Sequence, residues 1–172
     1  MLKLVGSAMV VAASGLTGMA VAGNYSRRLR ELRSLRSALQ VLETEIAYGA
    51  TPLKEALAQV SDRSDQFIGP LFSRAADELS DMSGVTASEA WERALNYYYP
   101  STALKPQDLF ILRNLGSSLG VSDREDQLKH LQLAMEQIGR ETIVAEEEAA
   151  RNVKMWSYLG FLGGLMLVLV LY

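Results

Sequence analysis

His130 is the only histidine, and it follows Asp126 by four residues, the spacing at which one helical turn sets a carboxylate beside an imidazole. Such a pair can orient a general base. A base without a nucleophile or a second partner catalyses nothing, so the pair reads as an exposed polar rim. Glu43 and Glu45, with Tyr48 behind them, suggest a carboxylate site. Two positions apart, however, they point to different sides of a helix, and a structural network is the plainer reading. Tyr97, Tyr98 and Tyr99 before Pro100 offer either a binding surface or the aromatic cover of a core end. Gly116-Ser117-Ser118-Leu119-Gly120 lacks the lysine and the strand context of a phosphate loop. The chain has no cysteine, which excludes disulfides, thiolate metal sites, thiol nucleophiles and an acylated cysteine anchor. Its net charge of −3 supplies no concentrated positive field for nucleic acid. No catalytic residue, metal set, cofactor site or small-molecule substrate is expected, and the chain reads as a non-enzyme.

Charge is patterned more tellingly. Arg27, Arg28, Arg30, Arg33 and Arg36 fall within ten positions, with Glu31 among them, and Glu146, Glu147 and Glu148 form a run near the other end. These eight arginines and glutamates are the candidate contacts for a protein partner or for lipid. If the first and last helices run side by side, the two clusters lie at similar depth. They then pair with each other, or the arginines face anionic headgroups. A solvated face with loose ion pairs is the plainer alternative for each residue.

The elements that must position these groups are helices. Leu128, Leu131, Met135, Ile138, Thr142 and Ala145 follow the alternating three-and-four spacing of a packed helix, opened by a capping box at Ser122–Glu125. Leu32, Leu35, Leu39, Leu42 and Ile46 repeat that spacing over 26–48, with Gly49 expected to end the helix at positive φ. Thr51-Pro52 predicts the next start, threonine as N-cap and proline at the first position. Gly69-Pro70 precedes a third helix over Leu71, Phe72, Ala75, Ala76, Leu79 and Met82, closed by Gly84. Thr86–Glu89 is a capping box for a fourth with Trp91, Leu95 and Tyr98. Leu109, Leu112, Leu115 and Leu119 mark a fifth, stopped by Gly120. No window alternates strictly enough for a strand. The fold class is all-α, an antiparallel bundle of about six helices.

Two uncharged segments flank the bundle, 4–23 and 155–172. The second, at 1.5 Å per residue, spans about 27 Å, close to a bilayer core. Arg151 and Lys154 precede it, and Trp156 and Tyr158 sit at its entrance. Ala20-Val21-Ala22 in the first resembles a signal-peptidase site. The arginines that follow favour an uncleaved span, because positive charge there opposes translocation. Both inner flanks are basic, so the expectation is transmembrane helices over 4–23 and 155–172 with a cytoplasmic domain over 25–154.

Leu42-Glu43-Thr44-Glu45-Ile46-x-Tyr48, Thr51-Pro52-Leu53-x-Glu55-Ala56 and Leu115-Gly116-x-x-Leu119-Gly120-x-Ser122-Asp123 resemble the stage III sporulation protein AB family along essentially the whole chain. Gly49, Pro52, Leu53, Ala56 and Leu57 are more distantly similar to the cytoplasmic domains of the F-type platform proteins of type II secretion and type IV pilus machines. The resemblance implies a non-enzymatic component of the channel-like complex joining mother cell and forespore, placed in the mother-cell membrane around the forespore. It would couple a secretion-type ATPase to membrane components, with other proteins of that complex and membrane lipid as partners. The residues alone support a membrane-anchored helical scaffold. A membrane-tethered adaptor or envelope sensor is the alternative, and an intramembrane enzyme is disfavoured because neither apolar segment carries an ionisable group.

Overall fold

Capping chemistry and apolar spacing set most of the helix boundaries. In the computed structural model, which describes residues 2–49, 51–80, 84–120 and 123–171 (most side chains of 2–21 and 153–171 excepted), the order is α1 (Leu2–Tyr48), α2 (Leu53–Arg63), α3 (Gly69–Ser80), α4 (Ala87–Tyr98), a 3-10 turn (Tyr99–Ser101), α5 (Pro106–Ser118) and α6 (Arg124–Leu171). Six α-helices and no strand occur among the described residues. The Thr86 hydroxyl accepts the Glu89 amide, and the Glu89 carboxylate accepts the Thr86 amide at 2.9 Å, closing the expected box at α4. Pro106 opens α5, where its missing N–H costs nothing, and Asp108 accepts the Lys105 amide at 2.8 Å. Gly84 and Gly120 take φ of 72° and 74°, the left-handed region glycine enters without penalty.

Three boundaries differ from expectation. Gly49 does not adopt positive φ; its amide continues the helical pattern to the Glu45 carbonyl at 2.9 Å. Glycine is needed there for a different reason, because a Cβ would run into Thr51 Oγ1 and the Glu45 carbonyl. Thr51, with its hydroxyl beside Gly49, does not cap α2. Pro52 holds the cap position with ψ 146°, and its carbonyl accepts the Ala56 amide at 3.0 Å. At α6, Ser122 lies outside the described residues, as does Met82 of the third apolar series; Asp123 supplies the cap, accepting the Asp126 amide at 2.9 Å.

The chain divides into two compact units, Arg30–Thr142 and a second made of residues 1–29 and 143–172. In the first, Leu32, Leu35, Leu39 and Leu42 of α1 are fully buried, as are Val60 of α2, Phe72 of α3, Leu95 of α4, Leu112 of α5 and Leu131 and Ile138 of α6. Each such side chain stabilises the fold by about 1.5–3 kcal/mol through area removed from water. Consecutive helices from α2 to α5 pack on one another. Trp91 is the pivot of that packing. Its ring meets Phe72 edge-on at 5.5 Å, and its Nε1 donates to the Leu112 carbonyl at 2.7 Å. In the second unit Ala22 of α1 and Ala145 and Ala149 of α6 are buried. Among the described residues no helix is long and apolar enough to cross a membrane. The backbone is helical over 4–23 and 155–171, and the side chains there lie for the most part outside the described residues.

Candidate functional site

The residues with chemical potential are dispersed by the fold. His130 is exposed, and the Asp126 carboxylate reaches Lys129 at 3.6 Å on its own helix. Glu43 and Glu45 diverge as their spacing predicts: Gln132 of α6 donates to Glu43 at 2.7 Å, whereas Arg63 of α2 meets Glu45 at 3.1 Å. The three tyrosines split. Tyr98 is buried with its hydroxyl donating to the Phe67 carbonyl at 2.8 Å, while Tyr97 lies exposed beneath the Arg74 guanidinium. Gly116 turns its open face to Trp91, which leaves no room for a Cβ, so this glycine serves packing. Among the described residues no group of three or more histidines, cysteines or acids is placed to hold a metal ion.

Several open clefts lie in the Arg30–Thr142 unit. One of about 460 Å³ holds Asp65, Arg74, Asp77 and Tyr97, and two of its charges, Asp65 and Arg74, make internal bonds. Arg74 pairs with Glu78 at 2.7 Å. Burial pushes the Asp65 carboxyl up, but donation from the Ser34 hydroxyl and the Ile68 and Phe67 amides holds it below its ordinary range. Another, of about 480 Å³, runs beside the exposed Phe110, with Ile111, Gln137 and Arg140 on its walls.

Of the eight charged candidates, the fold joins Arg28 and Glu148. Arg28 Nη1 lies 3.1 Å from Glu148 Oε2, with the arginine side chain 3% and the glutamate 23% exposed. This is an internal pair between α1 and α6 within the second unit, flanked by the buried alanines. Glu146 and Glu147 are exposed on the same turns of α6, and Arg27 is half-buried. Arg30, Arg33 and Arg36 belong to the other unit. Arg30 stacks its guanidinium 5.5 Å from the Phe67 ring centre, Arg36 lies 3.8 Å from where a Gly139 Cβ would sit, and Arg33 is exposed. Arg28 and Arg30 thus have specific contacts, each within its own unit.

Sequence reasoning missed two polar anchors. Glu31 is buried and accepts the Ala103 amide at 2.8 Å, tying the loop before α5 to α1. Its signal was available, as the single acid among five arginines. Arg124 donates to the Ile46 and Ala47 carbonyls at the end of α1, where a cation meets the negative end of a helix dipole. Nothing local to residue 124 announces that contact.

The family model described as stage III sporulation protein AB matches residues 3–172. Stage III sporulation protein AB of Bacillus subtilis (strain 168) is 41% identical over 171 residues, covering 99% of both chains. A solved structure of a stage III sporulation protein AB superposes with a TM-score of 0.67 at 37% identity, covering 72% of this chain and 96% of that one.

Proposed function

The chain belongs to the stage III sporulation protein AB family, and from that membership we propose that it is a non-enzymatic, membrane-anchored scaffold of the channel-like complex between mother cell and forespore. In this reading 4–23 and 155–172 are transmembrane helices, and 25–154 is the cytoplasmic domain. The domain couples a secretion-type ATPase to the membrane components of the complex. The observation that carries the reading is the full-length match, which runs through both uncharged segments as well as the helical domain. The physical support is the basic charge on both inner flanks, Arg27 to Arg36 and Arg151 with Lys154, which holds the intervening region on the cytoplasmic side.

Two measurements test it. A cytoplasmic reporter inserted near Thr102 is active and an export-dependent reporter at the same site is silent; the opposite pattern, or a mature protein beginning at Gly23, removes the two-span topology. Purification in mild detergent from sporulating cells recovers several partners in fixed proportion, including an ATPase. Recovery of one substoichiometric partner would favour a regulatory adaptor instead.

A further inference from the structure

α6 buries side chains at Leu131, Ala134 and Ile138, and again at Ala145 and Ala149. Between Ile138 and Ala145 it buries none. The stripe position in that gap is Thr142, half-buried, whose hydroxyl donates to the Ile138 carbonyl of its own helix at 2.7 Å. A hydroxyl bonded back to that carbonyl shares it with the helical amide and favours a bend. The residue types weaken the same stretch. Gly139 gives up more backbone freedom in a helix than any other residue type. Packing does not demand glycine there, since an added Cβ would meet only the Arg36 guanidinium, at 3.8 Å. Thr142, Ile143 and Val144 are three consecutive β-branched residues, which lose side-chain freedom in a helix. Burial would offset that loss, but Ile143 is 61% and Val144 45% exposed. The division between the two compact units falls inside this stretch, between Thr142 and Ile143. Where the division crosses α1, between Leu29 and Arg30, the helix is different. Residues 27–36 contain neither glycine nor a β-branched residue, and Arg28, Glu31, Leu32 and Leu35 are buried.

We propose that 139–144 is a joint in α6, at which the helix opens and recloses so that the part beyond Thr142 moves while the Arg30–Thr142 unit stays folded. Local opening takes the least stable stretch first, and that is where apolar burial and helix propensity fail together. α1 has neither deficit and stays continuous, so the opening is confined to one of the two helices that lead to the uncharged segments. The use of the joint rests on the scaffold reading: a domain that couples an ATPase to membrane components passes movement along a helix that leaves it, and α6 yields at 139–144.

The test is amide hydrogen exchange of the purified full chain in mild detergent, read as protection factors so that intrinsic residue effects cancel. Amides of 140–147 are expected to be at least about tenfold less protected than those of 132–138, with protection recovering over 149–152. Even protection through the helix overturns the proposal, as does a loss that runs on from 139 without recovery, which is fraying. Gly139→Ala/Ile143→Leu/Val144→Leu raises helix propensity at positions with room for it and keeps the surface apolar. It should raise protection of 140–147 about tenfold and leave 132–138 unchanged. Where it melts early, Gly139→Ala alone is read the same way, at about fivefold. Protection that neither variant raises overturns the joint. In sporulating cells carrying only the stiffened chain, partners should co-purify as before while spore yield falls at least about tenfold. Undiminished yield, or a fall that accompanies loss of partners, overturns the use of the joint in coupling. Loss of partners from the unsubstituted chain counts against the scaffold reading and leaves the exchange result standing.

Discussion

At the scale of single residues, Gly116 and Asp65 have the most consequence for their size. A Cβ at Gly116 would run into Trp91 Cδ1 and come within 3.1 Å of its Cγ and Nε1. Trp91 is held by Phe72 and by its bond to the Leu112 carbonyl, so the indole has little freedom to move aside. Gly116→Ala is expected to destabilise the fold by about 1–3 kcal/mol, the range for overpacking, and to shift the tryptophan fluorescence. An unaltered melting temperature would show that the core yields there. Asp65 makes a pH prediction. Its folded carboxyl titrates below its ordinary value of 3.8, and Glu89, held down by the Thr86 amide and hydroxyl, titrates below 4.5. For such groups stabilisation is present above the unfolded value and is lost as pH falls through the folded one. Melting temperature should be flat from neutrality to about pH 5 and decline below about pH 4. Asp65→Asn should lower it at neutral pH and make that acid decline shallower; an unchanged acid limb counts against the assignment.

At the scale of elements, the contact between α1 and α6 through Arg28 and Glu148 matters most. Removing one member takes an ion-pair partner from the other, in a site where Arg28 is almost fully buried, which costs about 2–4 kcal/mol. Arg28→Met and Glu148→Leu should each destabilise the chain on that scale, while the two together should be neutral or stabilising, because both desolvation penalties disappear. The exchange Arg28→Glu/Glu148→Arg should recover much of the loss from either single reversal. Additive losses across the double-mutant cycle would mean that the two side chains do not interact. The pair also reshapes the acidic run: Glu148 belongs to the helix contact, and only Glu146 and Glu147 remain on the outer face.

For the whole molecule, the agreement of caps, breakers and apolar spacing argues that the helical domain specifies itself. Residues 25–154 expressed without either uncharged segment should be soluble and give a circular dichroism spectrum dominated by helix. Leu39, fully buried on α1 among the core leucines, is the sharpest point of attack. Leu39→Asp should cost on the order of 4 kcal/mol, an unpaired charge in an apolar site, and abolish cooperative melting. A strand-dominated spectrum of the unsubstituted domain would refute the bundle.

Helix number, type and most boundaries were legible in the sequence because they depend on local physics. Thr86–Glu89 closes its own bonds within one turn, Gly84 and Gly120 need only their own φ, and the leucine spacing over 32–42 marks a buried stripe without reference to its partner. The divergence of Glu43 from Glu45 likewise follows from helical geometry. What the tertiary structure decided involves residues far apart in the chain. That Arg28 meets Glu148 depends on how α1 and α6 lie together there, and 120 positions separate the two residues. The role of Gly116 depends on Trp91, and the Arg124 cap depends on where α1 ends. Local spacing selects the face a side chain takes; only packing selects what it touches there.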